Sequence, residues 1–479
     1  MSDYDDVPVC QSDVTTAEVI VVGLGPGGEQ VILDLVREGV DVIGIEAQMV
    51  GGECPYWGCI PSKMALRAAT TLTEAAHVNE LAGKAEVAPN WAPVAKRIRE
   101  KATDYWNDKV AVDRILEGGG IVVKGRGVIT GSRTVEVMGT QYTATRALVI
   151  ATGTVAALPP VEGLADIDFW TNRGALHTET VPDSLIVLGG GAIGCELAQV
   201  FARFGAEVTI VEFAPRLLAL EEPEVGEILK NVFEADGIKV LTGVGATKVS
   251  GSKQINVELS DGSSISASQL LIATGRKIVL AELGADSIGA GPDNGHTRFL
   301  PTNDFMRVTV EGEPIEGVFA VGDVAGKGAF THVATLQGRM VADQILGRET
   351  IGWSKRVTGH VTFTDPEIGS VGLSEASARE QGYDVVVATY PMESVSRAFI
   401  HGAGNEGILK IVVDRASKCI IGATVAGPHA GEVLSGLTVA VAGAVPLENL
   451  ITTGWAFPTY HRGYDSVLAA LPEDLRPIR

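Results

Sequence analysis

The sequence predicts an α/β protein of three domains, and three observations predict it. A buried strand, a glycine turn, an apolar-periodic helix and a second buried strand ending in an acid occur in that order twice. Two more buried strands, at 148–153 and 271–275, end in the same Ala-Thr-Gly. From about Trp353 the glycine turns stop, and alternating strands with two helical stretches take over, the texture of an α+β domain. A length of 479 residues agrees with three domains of about 150 residues each.

The first copy opens with Glu18 to Gly23, reading EVIVVG, and runs into Gly23-x-Gly25-x-x-Gly28. Val31, Leu33, Leu35 and Val36 mark the following helix, and Asp41 to Ile45 the next strand, which ends at Glu46. In such a unit Gly23 makes the tight turn, Gly25 lets the backbone approach a pyrophosphate, and Gly28 lets helix and strand pack closely. The phosphates sit at the helix N-terminus, where free N–H groups favour anions. Glu46 accepts from a ribose diol. The second copy has its strand at 184–188, its turn at Gly189, Gly191 and Gly194, and its acid at Glu212. In both, the acid lies 18 residues after the last glycine. One such fingerprint is a weak signal; two in the same register are a strong one.

The second unit therefore reads as an insertion in the first. The expected division is a lead-in at 1–16, a discontinuous domain at 17–154 and 276–350, an inserted domain at 155–275, and a C-terminal domain at 351–479. Two Rossmann-like units and an α+β domain make up the chain.

Composition narrows the function. Hydrophobic residues are 46% and charged residues 20%, as in an ordinary globular protein. Acidic residues outnumber Lys plus Arg by 59 to 38, a formal charge of −21, which argues against nucleic acid and anionic membrane as partners. Residues 1–17 are acidic and lack a basic n-region and apolar core. No apolar run is long enough to span a bilayer, so the cytoplasm is the expected location.

Five cysteines do not make a disulfide scaffold. Cys10, Cys195 and Cys419 read as inert. Cys54 and Cys59 stand in Gly51-Gly52-Glu53-Cys54-Pro55-Tyr56-Trp57-Gly58-Cys59-Ile60-Pro61-Ser62-Lys63. Four intervening residues can bridge two sulfurs on the first turn of a helix, though spacing does not prove a bond. A helix N-terminus lowers a thiol's pKa. Zinc would need a second ligand pair, which is absent, so no metal is expected.

With these motifs the chain resembles the flavin-dependent pyridine nucleotide–disulfide oxidoreductases, the family of dihydrolipoamide dehydrogenase, glutathione reductase and mercuric reductase. The two fingerprints, the cysteine segment, both Ala-Thr-Gly strands, Gly189 to Glu196, Val321-Gly322-Asp323 and Phe363-Thr364-Asp365-Pro366-Glu367 carry the resemblance in family order over nearly the whole chain. It implies that the first unit binds FAD. Glu46 would take the adenosine ribose, Gly127 would lie near the adenine, and Asp323 would take the ribityl chain. Thr152, Gly153 and the stretch from Ala329 to His332 would line the flavin. The second unit would bind NADH or NADPH through Gly189, Gly191 and Gly194, with Gly275 near the nicotinamide half. Glu212, a carboxylate where the 2′-hydroxyl is read, favours NADH. Arg203 and Arg216 leave a phosphate clamp open.

By the same resemblance electrons pass from the nicotinamide through FAD to a Cys54–Cys59 disulfide. Cys59 would be the charge-transfer thiolate and Cys54 the thiol that meets the external substrate. Lys63 and Glu196 would pair beside the flavin's reactive nitrogen. The resemblance also implies a homodimer, with partner residues near Phe457–Arg462 completing the site, and a small-molecule or small-protein electron acceptor.

The pattern breaks in one place. Family members end with His-Pro-x-x-x-Glu, whose His is the base for the interchange thiol. Here Phe457 stands at the base position and Arg462 at the carboxylate position. General acid–base help is typically worth about 10²–10⁴-fold. Either Tyr460 or His461, three and four residues on, substitutes, or the acceptor needs no base. A quinone or another electrophile taking electrons from the flavin directly is the alternative function. A C-terminal cysteine pair like that of mercuric reductases is missing. Trp57-Gly58 resembles the soluble transhydrogenases, which lack the second cysteine. The change to Arg276-Lys277-Ile278-Val279, where the family has Arg-x-Pro-Asn, is expected to touch only a loop.

Overall fold

A computed structural model describes residues 14–476, so the acidic lead-in with Cys10 lies largely outside the described residues. The chain divides into two compact units. The first comprises the residues up to Pro61, Arg99–Ala157 and Arg276–Arg356; the second comprises Ser62–Ile98, Leu158–Gly275 and the residues from Val357 onward.

In the first unit, strand Thr16–Val22 is flanked by Val42–Glu46 on one side and Thr140–Ile150 on the other, both parallel to it. Ile121–Lys124 extends the sheet beyond Val42–Glu46, and Glu313–Ala320 extends it beyond Thr140–Ile150. The strand order thus reverses at Thr16–Val22, and the first glycine turn leaves the sheet at that switch point, where α/β folds place ligands. Val19, Ile20, Val21 and Ile43 are fully buried, as expected where helices cover both faces of a parallel sheet. Helix Pro26–Arg37 covers one face and packs against helix Thr331–Ile345. Two glycines, Gly27 and Gly338, permit the close approach; a Cβ on Gly338 would stand 2.6 Å from the Gly27 carbonyl oxygen.

The second unit repeats the plan on a smaller scale. Ser184–Leu188 lies between Glu207–Glu212 and Gln269–Ile272, all parallel, with Lys239–Thr242 at the edge. A three-stranded antiparallel sheet, Ala246–Gly251, Ile255–Leu259 and Ser264–Ala267, follows in sequence. The C-terminal portion is a five-stranded antiparallel sheet whose core, with Leu409, Ile411, Val425, Leu434 and Leu437, is closed by helix Ala430–Ala442. Lys410 points away from that core and is 2% exposed. Its Nζ is held by Glu222 at 2.9 Å, Glu224 at 2.8 Å and Glu375 at 3.1 Å.

Among the described residues no helix is long and apolar enough to cross a membrane, and no three His, Cys, Asp or Glu side chains converge as a metal site.

Candidate functional site

The two glycine turns are built alike. Gly23 and Gly189 have φ of +89° and +111°, conformations open to glycine at little cost. A Cβ on Gly28 would drive into the carbonyl oxygen of Gly23, and one on Gly194 into that of Gly189. The middle glycines face open space. At Gly25 the nearest atom to a Cβ would be Gly52 Cα at 4.0 Å, and at Gly191 nothing lies within 4 Å. Both are N-cap residues of 12-residue helices, so free backbone N–H groups and the helix dipole point into that space. Each cradle fits a diphosphate that must touch backbone.

The acids are tied to their turns. Glu46 accepts from the Leu24 and Gln48 N–H groups, each at 2.7 Å. Glu212 accepts from Gly190 N–H and from Ala214 N–H at 2.6 Å. Burial pushes the Glu46 carboxyl up, and those two amides and Lys124 pull it back. Each carboxylate oxygen keeps a second lone pair for a ribose hydroxyl.

Cys54 and Cys59 do not share one helical turn. Cys54 lies in the short helix Glu53–Tyr56, and Cys59 opens the long helix Cys59–Leu81. Trp57 and Gly58 break the two apart. A Cβ on Gly58 would stand 3.0 Å from the Glu53 carbonyl oxygen, so the tight break needs glycine. Both cysteines are free thiols and partly buried. Hydrogen bonding to Cys59 pushes the Cys54 thiol up, with burial adding to it. Cys59 Sγ also lies 3.3 Å from Thr331 Oγ1. Sequence reasoning pointed to the stretch from Ala329 to His332 but singled out its ends. Both ends are exposed, with the His332 ring stacked on Phe330.

A second polar chain in the first unit involves a residue expected to touch only a loop. Arg276 donates to Thr154 Oγ1 at 2.7 Å and to the Thr154 carbonyl at 2.6 Å, and its guanidinium lies 3.6 Å from Glu53. Thr154 in turn donates to Asp323 at 2.7 Å. Arg276 thus joins the residue preceding Cys54 to Asp323. The intact Arg after Ala-Thr-Gly was the available signal. Thr152 is exposed, and Gly153, with φ of +64°, has nothing within 4 Å of a Cβ. Gly127 is packed between Val22, Ile45 and Val135, which leave no room for a side chain.

In the second unit, Lys63 grips both oxygens of Glu196 at 3.0 and 2.7 Å. Glu196 is 4% exposed and also accepts from Phe363 N–H at 2.8 Å, while the Lys63 ammonium sits 4.9 Å from the Phe363 ring centroid. The Glu196 carboxylate is buried and the Lys63 side chain half-buried, so the pair is an oriented charge held by three bonds. Gly275 has φ of +111° and open space on its Cβ side. Both nearby arginines bond within the chain. Arg203 is bound to Asp365 at 2.8 Å and Asp236 at 3.1 Å. Arg216 donates to the carbonyls of Ala219 and Glu221. Cys195 is fully buried, its S–H donating to the Gly190 carbonyl at 3.2 Å, and burial pushes the thiol up. That environment is inert.

The segment aligned with the missing base becomes helical only at its end. Phe457 and Pro458 form a turn, Thr459 is extended, and the helical geometry begins at Tyr460. Phe457 is 70% exposed. Tyr460 is turned into the core of its own domain, 7% exposed, between the His401 and His429 rings. Burial raises its hydroxyl pKa. His461 remains partly exposed, edge-on to Tyr464 at 5.6 Å. Arg462 is paired with Asp465.

Comparison with known proteins gives the family. The sequence profile of the pyridine nucleotide-disulphide oxidoreductases matches residues 17–338, and that of their dimerisation domain matches 358–466. The chain is 33% identical over 472 residues to a dihydrolipoyl dehydrogenase of Thermus scotoductus, covering 95% of this chain and 97% of the relative. It is 32% identical over 467 residues to a mercuric reductase of Bacillus cereus, covering 96% and 72%. In fold it is similar to the HOCl-induced flavoprotein disulfide reductase RclA of Escherichia coli, with a TM-score of 0.79 at 23% identity over 94% of this chain and 99% of that one. LpdA of Mycobacterium tuberculosis gives a TM-score of 0.81 at 22% identity over 95% and 99%. With both profiles and both relatives spanning nearly its whole length, the chain belongs to the pyridine nucleotide–disulfide oxidoreductase family, an enzyme family whose cofactors are FAD and NAD(P)H.

Proposed function

We propose that the chain is an NADH-dependent reductase that delivers electrons through Cys54 and Cys59 to a disulfide-type acceptor. The observation that carries this reading is the thiol pair itself: Cys54 and Cys59 are both free and partly buried, and the Thr331 hydroxyl lies 3.3 Å from Cys59 Sγ. FAD, when bound, accepts a hydride from the nicotinamide and returns two electrons to an acceptor. The chain's own residues do the rest. The first glycine turn and Glu46 bind the adenosine and diphosphate. Asp323, held by Thr154 and Arg276, orients the ribityl chain. Lys63, fixed by Glu196, is a held positive charge of the kind that stabilises an anionic reduced flavin. Thr331 donates to the Cys59 thiolate while Cys54 keeps the proton and meets the external disulfide.

NADH is the donor favoured by Glu212, the carboxylate that ends the second strand of this unit, and Arg203 is bonded to Asp365 and Asp236. The match to the dimerisation domain supports a homodimer in which segment 457–462 of a second copy completes the site. His461 is the proton donor of that segment, since Tyr460 is buried in its own domain. The cytoplasm, where thiols stay reduced, suits this chemistry.

An anaerobic NADH titration followed by an acceptor screen tests the reading. Disulfide reduction must be abolished by Cys54→Ser, and His461→Ala must flatten its pH–rate profile. Turnover of quinones that survives Cys54→Ser, with no disulfide turnover in the wild type, would replace this function with direct electron transfer from flavin. An unchanged pH profile in His461→Ala would remove that residue from the mechanism.

A further inference from the structure

The segment before helix Lys109–Glu117 is strained. Asp104, Tyr105 and Trp106 have φ of +47°, +59° and +54°, three consecutive non-glycine residues in the left-handed region. Each such residue costs energy and persists only where its surroundings over-determine it. Three of the bonds that do so are local, Tyr105 N–H to the Arg99 carbonyl at 2.7 Å, Asn107 N–H to the Thr103 carbonyl at 3.1 Å and Trp106 N–H to Thr103 Oγ1 at 3.3 Å, and one is distant, the Trp106 indole N–H to the Tyr56 carbonyl at 3.2 Å. The segment ends on Asp108, the N-cap of its helix. An Asp there normally turns its carboxylate onto its own helix. Asp108 does not, and Asn107 takes that task by accepting from Lys109 N–H at 2.8 Å.

Instead Asp108 reaches across to the loop after Glu46. Its Oδ2 accepts from Val50 N–H at 2.7 Å and pairs with Lys124 Nζ. Lys124 also donates to the Gln48 carbonyl at 2.8 Å, and Gln48 N–H donates to Glu46. The side chains of Lys124 and Asp108 are only 10% and 8% exposed, so the pair acts in a low-dielectric setting where every bond counts. Two buried opposite charges thus hold backbone 48–50 from both sides, and through Gln48 they fix the carboxylate of Glu46.

We propose that Asp108 and Lys124 are positioning residues for the adenosine half of FAD, holding loop 46–50 in the shape that presents Glu46 to the ribose. This rests on the reading of the first glycine turn as the FAD site. The strain at 104–106 is the cost of bringing Asp108 to Val50. Removing either charge lets the loop relax and turns the Glu46 carboxylate, so FAD leaves faster.

The test is the rate at which holoenzyme releases FAD, followed as the rise in flavin fluorescence on dilution, for wild type, Asp108→Asn, Lys124→Met and Glu46→Gln. Release should speed up at least tenfold in all three variants, while FAD still bound keeps its visible spectrum. A lower melting temperature with unchanged release in Asp108→Asn and Lys124→Met would overturn the proposal by making the pair merely structural. Unchanged release in Glu46→Gln as well would instead overturn the placement of adenosine at this turn. If Asp108→Asn does not fold, Lys124→Met decides alone, since it leaves the Asp108–Val50 bond in place.

Discussion

Thr331→Val is the sharpest probe of the thiol pair. Valine has nearly the volume of threonine and removes only the hydroxyl that stands 3.3 Å from Cys59 Sγ. A hydrogen bond to a charged acceptor contributes about 1.5–3 kcal/mol. Thr331 and Cys59 are only partly buried, so the lower end applies, about 1.5 kcal/mol. At about 1.4 kcal/mol per unit, the pH midpoint for forming the Cys59 thiolate should rise by about one unit. The assay is the pH dependence of iodoacetamide alkylation in the Cys54→Ser background, with and without Thr331→Val, so that a single thiol is read. The direction follows from the chemistry: the hydroxyl donates to the thiolate, and losing it disfavours the charged form. A midpoint that stays within about 0.3 units, against the full unit expected from that bond, would show that the hydroxyl does not act on the thiolate.

Gly28→Ala should leave protein purified without flavin, because its Cβ would collide with the Gly23 carbonyl; flavin absorbance per chain measures this. Gly194→Ala makes the equivalent collision in the second turn and should keep flavin while raising the KM for NADH about tenfold or more, a loss of about 1.4 kcal/mol in binding. Glu212→Ala should narrow the preference for NADH over NADPH, measured as the ratio of kcat/KM values. Lys410→Met strands the buried Glu222 carboxylate and should cost about 3–5 kcal/mol in denaturant unfolding. Burial would lower the Lys410 pKa, but the bonds to Glu224, Glu222 and Glu375 outweigh it and raise the value. Its contribution is therefore full below the ordinary lysine value of about 10.4 and fades only as pH rises through the higher folded value. The gap between wild type and Lys410→Met should stay constant from pH 6 to 9.

What could be read from the sequence was whatever glycine and strand pattern encode locally. Gly28 and Gly194 each answer to the carbonyl of the glycine that opens their own turn, so their spacing carried the geometry. Contacts that join distant segments left no such trace. Thr331 lies 272 residues from Cys59, and Asp108 lies 58 residues from Val50. The bonds of Arg276 to Thr154 and Glu53 likewise join segments far apart in the chain. The burial of Tyr460 was equally hidden, since a tyrosine after Pro-Thr looks the same whether it faces water or the core. Net charge misdirected in a milder way: a chain of −21 still offers two anion cradles, because helix ends and glycine backbone do not appear in a charge sum.

The two cradles differ in depth although their backbones match. Glu46 is 8% exposed and walled by Asp108 and Lys124, whereas Glu212 is only half-buried. The same glycine turn is thus set at two depths, and a nucleotide bound at each would meet a wall at the first and a rim at the second.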